Sequence, residues 1–598
     1  MESKEKKQNC IIFGASVSGE KAYAALKDNY NIIGFSDNNS KKWNELFLER
    51  KVFSPAELAG EEEIEIIIAS HHYAAIGTQL IEAGIKKIKV FIPDVKEGDN
   101  ISYGLYEYNG SNTLFKSCTY NSENISRIKK DFKYNYEDLD NFVSLGYLNE
   151  KRQIKKKVLF CAYIFPPLGG SGVQRSLKFV KYLRKFGYEP VVLTVGNNRF
   201  GFKTDYNMLE EIKGIEIIRI DDNFLLPELL SERQQQEIIN LYEGIVESQE
   251  CFDEYLKIAN DNKERWKLIP DEKICWVNEC LKKIETKVNL NDIDIVFTTG
   301  EPFSVYILGY YIKLKYGIKW VQDYRDPWVN NQYYIDNFYR HMSSTIELQQ
   351  QMERKLTKAA DAIIVMAEAM RKQFSDTYGL PMEKIHTITN GYDEADFKDK
   401  NVTYELGEKF ALCHNGAVYI DRNPISLIKT INNMIKKGDI DKEKIEIVFN
   451  GEVEEKWEKT IDEEDVYHIV KYNGYMEHSK SIQIAMNSYT LILFGTVGEG
   501  AQVVYTGKIF EYLKMGNPII SFSSKGGVID KLLDKTQTGK NFEYDDYNGI
   551  ENYLKENYEA WKKGVKRFNP DSDEIKKYSR EHLTKKLAEI FDWLLSCN

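Results

Sequence analysis

Short runs of apolar residues alternate with amphipathic stretches along most of the chain. The segments IIIAS, VLFCAYIF, DIVFTTG and IEIVFNG each contain three or more consecutive apolar residues, and each run is followed by proline or a polar residue. Such runs are typical of strands buried in a parallel sheet, and the helical spacing between them predicts crossover helices. The pattern therefore predicts an α/β chain built from doubly wound parallel sheets.

Interruptions of this alternation divide the chain, whose 598 residues exceed what one hydrophobic core supports. A polar stretch rich in Asn, Tyr, Ser and Lys separates a small first unit from the rest, and we interpret it as a connector with some helix. A charged, aromatic stretch later on predicts a helical insertion. The predicted parts are a small unit at 1–95, the connector at 96–155, a first half at 156–400 with its insertion at about 224–287, a second half at 401–575, and a final helix at 576–598.

Composition narrows the class of protein. The formal net charge is −11, so no overall basic field favours a nucleic-acid partner. We see no signal peptide and no run near the roughly 18 apolar residues of a membrane span. The eight cysteines include no C-x-x-C pair. This predicts a cytoplasmic protein without structural zinc.

A glycine-rich turn follows the apolar run CAYIF. The sequence PPLGGSG places Gly169 and Gly170 just before an amphipathic helix. Small residues there let backbone N–H groups approach an anion at the helix N-terminus. The turn is not a Walker A loop, because Gly-Lys-Ser/Thr does not follow. A tight turn without any ligand explains the same residues.

The segment TGKIFEYLKMGNPII carries a second candidate site. Lys508 and Glu511 lie three residues apart near the start of a predicted helix, hence on one face. A cation at a helix N-terminus opposes the macrodipole unless it serves an anionic ligand. Glu511 could accept hydrogen bonds from vicinal hydroxyls, as an acidic residue does for a ribose. The alternative is an exposed ion pair of the two side chains.

Polar residues follow several other predicted strands, where α/β proteins place functional groups. Asp326 stands in DYRDPW, where an Asp–Arg pair that locks the loop is an alternative. Gly416 and Arg422 stand in HNGAVYIDRNP, and Arg422 is a candidate phosphate partner. Asn390 begins an Asn-Gly turn that suits a hinge between two domains, or a plain turn.

The D-x-D spacing of Asp292 and Asp294 could hold a metal for a nucleotide sugar. Asp294, however, leads straight into an apolar run. A position at the start of a strand is therefore favoured, and no metal site is predicted.

The first unit has a glycine turn of its own. Gly14 and Gly19 follow an apolar run and open a helix, and Asp37 ends the next run at a plausible ribose position, although the full G-x-G-x-x-G is absent. A nucleotide ligand is predicted. No Tyr-x-x-x-Lys pair accompanies it, so a separate redox or epimerase activity is not expected from this unit.

Residues 156–598 resemble the GT-B glycosyltransferases of retaining family 4. The resemblance rests on the segments already quoted, together with VMAEAMRKQF and ITNGYDEADF, which occur in the family's order. It implies two Rossmann-like halves that face each other across a cleft, with a nucleotide-sugar donor held mainly by the second half. It also implies that the C-terminal helix crosses back onto the first half.

The resemblance also assigns roles. Gly169 and Gly170 would approach the donor phosphates, and Lys508 and Arg422 would neutralise the diphosphate. Glu511 would bind the ribose, and Asp326 would contact the transferred sugar or the acceptor hydroxyl. Further donor contacts would come from Gly416, Asn390 and Glu499.

The chain departs from the family pattern at one position. Many members carry two glutamates eight positions apart, and the first would fall at Val503. Glu499 could substitute for it. This leaves the donor sugar open.

The first unit resembles small Rossmann-like domains of bacterial sugar-modification and polysaccharide-assembly proteins. The segments that carry this are IIFGASVSGEKAYAAL, NIIGFSDNN and VFSPAEL. A nucleotide, a nucleotide sugar or NAD(H) is the implied ligand.

Together these features predict a retaining hexosyltransferase-type enzyme of bacterial surface-polysaccharide biosynthesis. Its acceptor would be a glycan or a lipid-linked molecule, met in the cytoplasm or at the inner face of the membrane. Transfer would need no cofactor and no metal. Two alternatives remain: an inactive scaffold that binds a nucleotide sugar, and an epimerase of GT-B fold.

Overall fold

The structure of the protein is a computed structural model. It describes the greater part of the chain, including all three regions with alternating strands and helices. The described residues are 7–58, 64–70, 73–97, 100–108, 115–120, 156–170, 172–197, 202, 204–222, 230–260, 268–329, 343–397, 408–419, 422–464, 466–474, 476–495, 501–565 and 570–596.

The first unit is built on a mixed sheet with strand order β3-β4-β2-β1-β5-β6-β7-β8. Strands β2, β1, β5 and β6 pair in parallel, as the alternating pattern predicts. The strands are β1 Gln8–Phe13, β2 Tyr30–Ser36, β3 Leu46–Phe47, β4 Arg50–Phe53, β5 Glu65–Ile68, β6 Ile88–Glu97, β7 Asn100–Tyr108 and β8 Phe115–Tyr120, and the helices are α1 Val17–Leu26 and α2 Tyr73–Glu82.

This sheet extends beyond the predicted boundary at residue 95. Strands β6, β7 and β8 form an antiparallel meander whose last two strands fall within the range predicted as a connector. The prediction of a connector with some helix is therefore wrong for 100–108 and 115–120. The polar residues there were misleading, because antiparallel strands can expose one face to water. The rest of the predicted connector, 121–155, lies outside the described residues.

The first half contains a seven-stranded parallel sheet with strand order β11-β10-β9-β12-β13-β14-β15. Alternate residues of β9 enter two different cores, Leu159 on one face and Phe160 on the other, so both faces are covered. The strands are β9 Lys156–Cys161, β10 Tyr188–Val195, β11 Glu216–Ile220, β12 Ile295–Gly300, β13 Lys319–Tyr324, β14 Ala362–Val365 and β15 Ile385–Thr387.

Helices connect these strands. Three of them, α4 to α6, occupy the range predicted as a helical insertion. The helices are α3 Val173–Leu183, α4 Glu232–Glu243, α5 Gln249–Asn260, α6 Ile274–Lys287, α7 Val305–Tyr316, α8 Ser343–Ala359 and α9 Glu368–Tyr378. None of the helices among the described residues is long and apolar enough to cross a membrane.

The second half contains a six-stranded parallel sheet with strand order β18-β17-β16-β19-β20-β21. Its strands are β16 Phe410–Asn415, β17 Ile445–Asn450, β18 Val470–Tyr472, β19 Thr490–Phe494, β20 Ile519–Phe522 and β21 Gly539–Phe542. Its helices are α10 Ile425–Lys437, α11 Glu455–Glu463, α12 His478–Met486, α13 Lys508–Met515, α14 Val528–Thr536 and α15 Tyr547–Lys562. The predicted α/β class is confirmed: two halves built on parallel sheets follow a small α/β unit.

The chain passes between the halves twice, and the two passages lie side by side. After α16 Ser572–Lys576, the helix α17 Arg580–Ser596 packs on α3 and adds Leu587 and Phe591 to the first half's core. The backbone N–H of Tyr392 donates to the Tyr578 carbonyl at 3.1 Å, and the Arg580 N–H donates to the Tyr392 carbonyl at 2.7 Å. The final helix therefore returns to the first half, as the resemblance implied.

Gly391 permits this close approach. A Cβ atom at position 391 would lie 2.2 Å from the Tyr578 carbonyl oxygen and 2.6 Å from a methyl group of Leu583. We expect Gly391→Ala to lower the free energy of unfolding by about 1–3 kcal/mol, because backbone would have to move. Urea denaturation measures this.

Gly507→Ala is the matched control. Gly507 has helical backbone angles (φ −59°, ψ −27°), and the nearest atom to its added Cβ would be 3.9 Å away. We expect a change within about 0.5 kcal/mol. Equal stabilities of the two variants would contradict the account of Gly391.

Candidate functional site

Lys508 lies at the start of α13, against the loop that follows β16. Gly416 in that loop has φ +106°, and a Cβ there would lie 2.2 Å from both Cε and Nζ of Lys508. Gly416 therefore leaves the space that the lysine occupies. The Lys508 ammonium makes no hydrogen bond or ion pair with any described residue. Burial lowers the pKa of Lys508 to about 7, and the charge of Arg422 adds to this effect while Glu511 opposes it.

Arg422 is held beside Lys508 by its own loop. Its guanidinium lies 4.5 Å from the ring centre of Tyr419, and Nη1 donates to the Ala417 carbonyl at 3.1 Å. Stacking on an aromatic ring and a carbonyl contact orient the group without neutralising it. Two cations thus stand together at the carboxyl end of β16.

Glu511 faces His478, the first residue of α12. The His478 Nε2 atom lies 2.8 Å from Oε1 of Glu511. Burial acts to raise the pKa of the Glu511 carboxyl, but the charge of His478, then those of Arg580 and Lys508, hold it below its ordinary value. Burial acts to lower the pKa of His478, but Glu511 raises it overall. The alternative of a Lys508–Glu511 ion pair is not observed.

Asn390 joins the passage between the halves to this group. Its Oδ1 accepts from Nη1 of Arg580 at 3.3 Å, and its Nδ2 is the atom nearest to a Cβ built on Gly507, at 3.9 Å. The structure therefore brings Gly416, Asn390, Arg422, Lys508 and Glu511 together at the junction of the two halves.

A ladder of asparagine side chains organises the loops of the second half. Nδ2 of Asn473 donates to Oδ1 of Asn450 at 2.8 Å, Nδ2 of Asn450 donates to Oδ1 of Asn415 at 2.9 Å, and Nδ2 of Asn415 donates to the Ser481 carbonyl at 3.1 Å. The Asn415 backbone N–H also donates to the hydroxyl oxygen of Tyr512 at 2.8 Å. The ladder links β16, β17 and β18 to α12 and α13.

This ladder was not predicted from the sequence. Its signal is an Asn-Gly pair at the carboxyl end of each of β16, β17 and β18. Such a repeat at one sheet edge predicts side chains in a row, because parallel strands end together.

The glycine turn of the first half lies exposed before α3. Gly170 has φ +126° and no atom within 4 Å of a built Cβ, so its conformation rather than crowding favours glycine. Gly169 is half-buried beside it. The turn is thus open to solvent at Gly170.

Arg325 fastens this turn to a neighbouring loop. Its Nη1 donates to the Gly172 carbonyl at 2.8 Å, its Nε donates to the Gly300 carbonyl at 2.5 Å, and its Nη2 donates to the Glu301 carbonyl. The Asp–Arg pair considered within DYRDPW, all of whose residues the structure describes, is not observed: Arg325 forms no ion pair with Asp323 or Asp326. Asp323 pairs instead with Arg175 of α3, with Oδ1 and Nη2 2.6 Å apart. Sequence spacing favoured Arg325 because it is close in the chain, whereas Arg175 becomes close only through folding.

Asp326 and Glu301 place two carboxyl groups at the ends of β13 and β12. Both side chains are half-buried, and neither carboxyl makes a hydrogen bond or ion pair with a described residue. Burial raises the pKa of Glu301 to about 7, and the charge of Asp326 adds to the rise. Burial also raises the pKa of Asp326, against the effect of Arg325. Glu301 is a second candidate that sequence analysis missed.

Asp292 and Asp294 lie at the opposite, amino-terminal end of β12. Oδ2 of Asp294 accepts the Lys157 N–H at 2.7 Å, and Asp292 pairs with the Lys157 ammonium at 3.5 Å. Among the described residues, no three His, Cys, Asp or Glu side chains are grouped to hold a metal ion. The interpretation of Asp294 as a strand-start residue agrees with these contacts.

The predicted substitute for the missing glutamate lies outside the described residues. Glu499 falls in the segment 496–500, and Val503 ends the short 3₁₀ turn Ala501–Val503. The role of Glu499 stays a prediction.

In the first unit, the Asp37 carboxylate already has partners within the chain, one of them in the glycine turn. Its Oδ2 accepts the Ala15 N–H at 3.0 Å and pairs with the Lys42 ammonium at 2.9 Å. Gly14 has φ +123°, and a Cβ on Gly19 would lie 1.9 Å from the Gly14 carbonyl oxygen. Chain packing thus accounts for these residues without a ligand, and their nucleotide role stays a prediction.

Two family models match parts of the chain. One is described as C2185-like, N-terminal, and matches residues 6–91. The other family model is described as Glycosyltransferase Family 4 and matches residues 248–396. That segment contains β12, β13, Glu301, Asp326 and Asn390, and thus much of the first half's side of the candidate site.

Solved structures with similar folds were also found. A glycosyltransferase from Rickettsia africae has 14% sequence identity and a TM-score of 0.45, covering 75% of this chain and all of its own. Anabaena Alr3699/HepE, solved with UDP and glucose, has 12% identity and a TM-score of 0.47, covering 73% of this chain and all of its own. A putative UDP-N-acetylglucosamine 2-epimerase from Listeria monocytogenes has 12% identity and a TM-score of 0.38, covering 73% and 94%. No curated protein matches the chain.

Arg325→Lys tests the fastening of the glycine turn. A lysine cannot reach three carbonyl groups at once, so we expect a loss of about 1–3 kcal/mol in the free energy of unfolding. Hydrogen exchange should rise for the amides of the segments 172–175 and 300–304. Native exchange in both segments would contradict the role of Arg325.

Arg233→Lys is the control for this substitution. The Arg233 side chain is 89% exposed and forms an i,i+4 ion pair with Glu237. We expect a change within about 0.5 kcal/mol.

Proposed function

We propose that the protein is a glycosyltransferase that transfers a sugar from a nucleotide-diphosphate-sugar donor to a hydroxyl group, with retention at the anomeric carbon. The glycosyltransferase family match in the first half supports the activity class. The candidate site at the junction of the two α/β halves supports the donor class. Retention rests on the resemblance of the sequence.

The unpaired ammonium of Lys508 carries this proposal. A half-buried cation at a helix N-terminus is unfavourable unless an anion compensates it, and Arg422 adds a second positive charge. A diphosphate presents several charged oxygens to both groups. Glu511 retains acceptor capacity beyond its contact with His478, and vicinal ribose hydroxyls can donate to it.

These groups suit the departure of a nucleoside diphosphate. The bond between the anomeric carbon and the diphosphate oxygen breaks, and the electron pair leaves with that oxygen. Lys508 and Arg422 stabilise the developing negative charge, which is the type of contribution that dominates many enzymatic rate enhancements. The acceptor oxygen attacks on the same face, and its proton passes to the departing phosphate.

We assign the acceptor side to Asp326 and Glu301. Their carboxyl groups make no hydrogen bond with a described residue and can accept from sugar hydroxyls. A glycan or a lipid-linked acceptor in bacterial surface-polysaccharide assembly fits this proposal. It would be met in the cytoplasm or at the inner face of the membrane. A nucleotide, a nucleotide sugar or NAD(H) in the first unit is a separate proposal that rests on sequence resemblance.

Lys508→Ala and Glu511→Ala should each lower kcat/KM for transfer by about a hundredfold or more, because a charge contact in the transition state is removed. The assay measures release of nucleoside diphosphate from UDP-, GDP- and ADP-sugars with acceptor extracts. Lys585→Ala on the exposed face of α17 is the control, and its activity should equal that of the native protein. Full activity of both site variants would contradict the assignment of Lys508 and Glu511 to the donor site.

The same assay separates two other functions. The valine at position 503 favours an inactive scaffold, because a family glutamate is missing there. A scaffold would bind nucleotide sugars without turnover. An epimerase would convert the nucleotide sugar with no acceptor present.

Lys508 should also make binding depend on pH. A diphosphate raises the lysine pKa from about 7, so binding takes up a proton at pH 8, where the free lysine is mostly neutral, and little at pH 6, where it is already charged. We expect the Kd for a UDP-sugar, whose diphosphate does not titrate in this range, to weaken several-fold from pH 6 to pH 8. Calorimetry in buffers of different ionisation enthalpy measures the uptake.

Lys508→Arg is the control, because arginine stays charged over this range. It should remove most of the pH dependence while keeping binding. An unchanged pH profile in this variant would assign the titration to another group, such as His478.

A further inference from the structure

Arg580, the first residue of α17, carries a guanidinium in an unfavourable position. Only 6% of the residue is exposed, and it lies at the N-terminus of a long helix, where a positive charge opposes the macrodipole. Its one side-chain hydrogen bond among the described residues goes to Oδ1 of Asn390 at 3.3 Å. A guanidinium has five N–H donors, so most of its donor capacity is unused.

The neighbouring charges do not compensate it. Arg580 forms no ion pair within the described residues, and its neighbour Arg175 is already paired with Asp323. Burial and then the charge of Arg175 lower the pKa of Arg580, while the charges of Glu511, Asp393 and Asp396 act against this. A buried charge without a close partner costs several kcal/mol as a rule, so its presence requires an explanation.

The charge of Arg580 acts on the same carboxylate as the charge of Lys508. Both cations lower the pKa of Glu511 through their charge, which puts them within electrostatic reach of one carboxyl group. Asn390, the hydrogen-bond partner of Arg580, lies beside Gly507 at the start of α13. The charges of Lys508 and Arg580 thus both act on the Glu511 carboxylate, and Arg422 adds a further positive charge beside Lys508. A sugar-nucleoside diphosphate carries two negative charges on its diphosphate.

We propose that Arg580 is a third cationic contact of the bound diphosphate, supplied by the helix that returns from the second half to the first. This deepens the proposed function and rests on it. The anion compensates the buried guanidinium and ties α17 and the Asn390 passage to the ligand. Binding would thus stabilise the junction of the halves as well as fill the site.

Arg580→Gln tests this proposal. Glutamine keeps a donor for Asn390 but has no charge. Isothermal titration with UDP, GDP and ADP should show roughly a tenfold to hundredfold weaker Kd for the diphosphate that the native protein binds best, as expected for a lost hydrogen bond to a charged group. Arg580→Lys retains the charge, so its Kd should lie between those of the native protein and Arg580→Gln.

The melting temperature without ligand distinguishes binding from a structural role. If the guanidinium has no close anionic partner until a ligand binds, Arg580→Gln should melt at the same temperature as the native protein or higher. The reason is that the substitution removes an uncompensated buried charge. A structural guanidinium predicts the opposite: a lower melting temperature with native affinity. Lys585→Ala, on the same helix, should change neither quantity.

Two outcomes overturn the proposal: a Kd within threefold of native in Arg580→Gln, or a reduced melting temperature with no loss of affinity. If the native protein binds none of the nucleotides, the proposed function fails on that result alone. Inorganic pyrophosphate then still tests Arg580. The role of Arg580 as a third contact would be refuted if Arg580→Gln bound pyrophosphate as tightly as the native protein does. It would also be refuted if the native protein did not bind pyrophosphate.

Discussion

The buried ion pair between Arg175 and Asp323 holds the site's framework together. Both residues are almost fully buried, and the guanidinium also donates to the carbonyls of Ile388 and Thr389 at 2.9 and 2.8 Å. One side chain thus connects the helix behind the glycine turn, the end of β13 and the passage to the second half. A buried charge pair of this kind tolerates few alternatives, because removal of either partner leaves an uncompensated charge.

The same helix, α3, makes a second set of charged contacts with the passage. Lys178 and Lys181 both pair with the buried carboxylate of Asp393 at 2.8 Å, and the Tyr182 hydroxyl donates to it at 2.5 Å. Burial acts to raise the pKa of Asp393, but Lys178 and the hydrogen bonds hold it far below its ordinary value. Cations and anions match closely here, in contrast to the region around Lys508 and Arg580.

This difference in charge pairing distinguishes the structural part of the junction from the part that would bind a ligand. Within one junction, some charges are fully paired and fix the chain, whereas others are buried without close partners. The protein pays an electrostatic cost at Lys508 and Arg580 that an anionic ligand would relieve. The glycine turn, fastened by Arg325, and the carboxyl groups of Glu301 and Asp326 follow the carboxyl ends of β9, β12 and β13 in the first half.

The sequence by itself determined the α/β class, the two parallel sheets and most of their strands, because buried parallel strands require continuous apolar runs that are visible locally. It also identified Lys508, Glu511 and Arg422, since each follows a strand end or opens a helix. The sequence could not determine which side chains contact each other across the fold. Glu511 contacts His478, Asp323 contacts Arg175, and Arg580 reaches Asn390, over separations of 33, 148 and 190 residues. Local spacing contains no information on such contacts, and only the folded chain decided them.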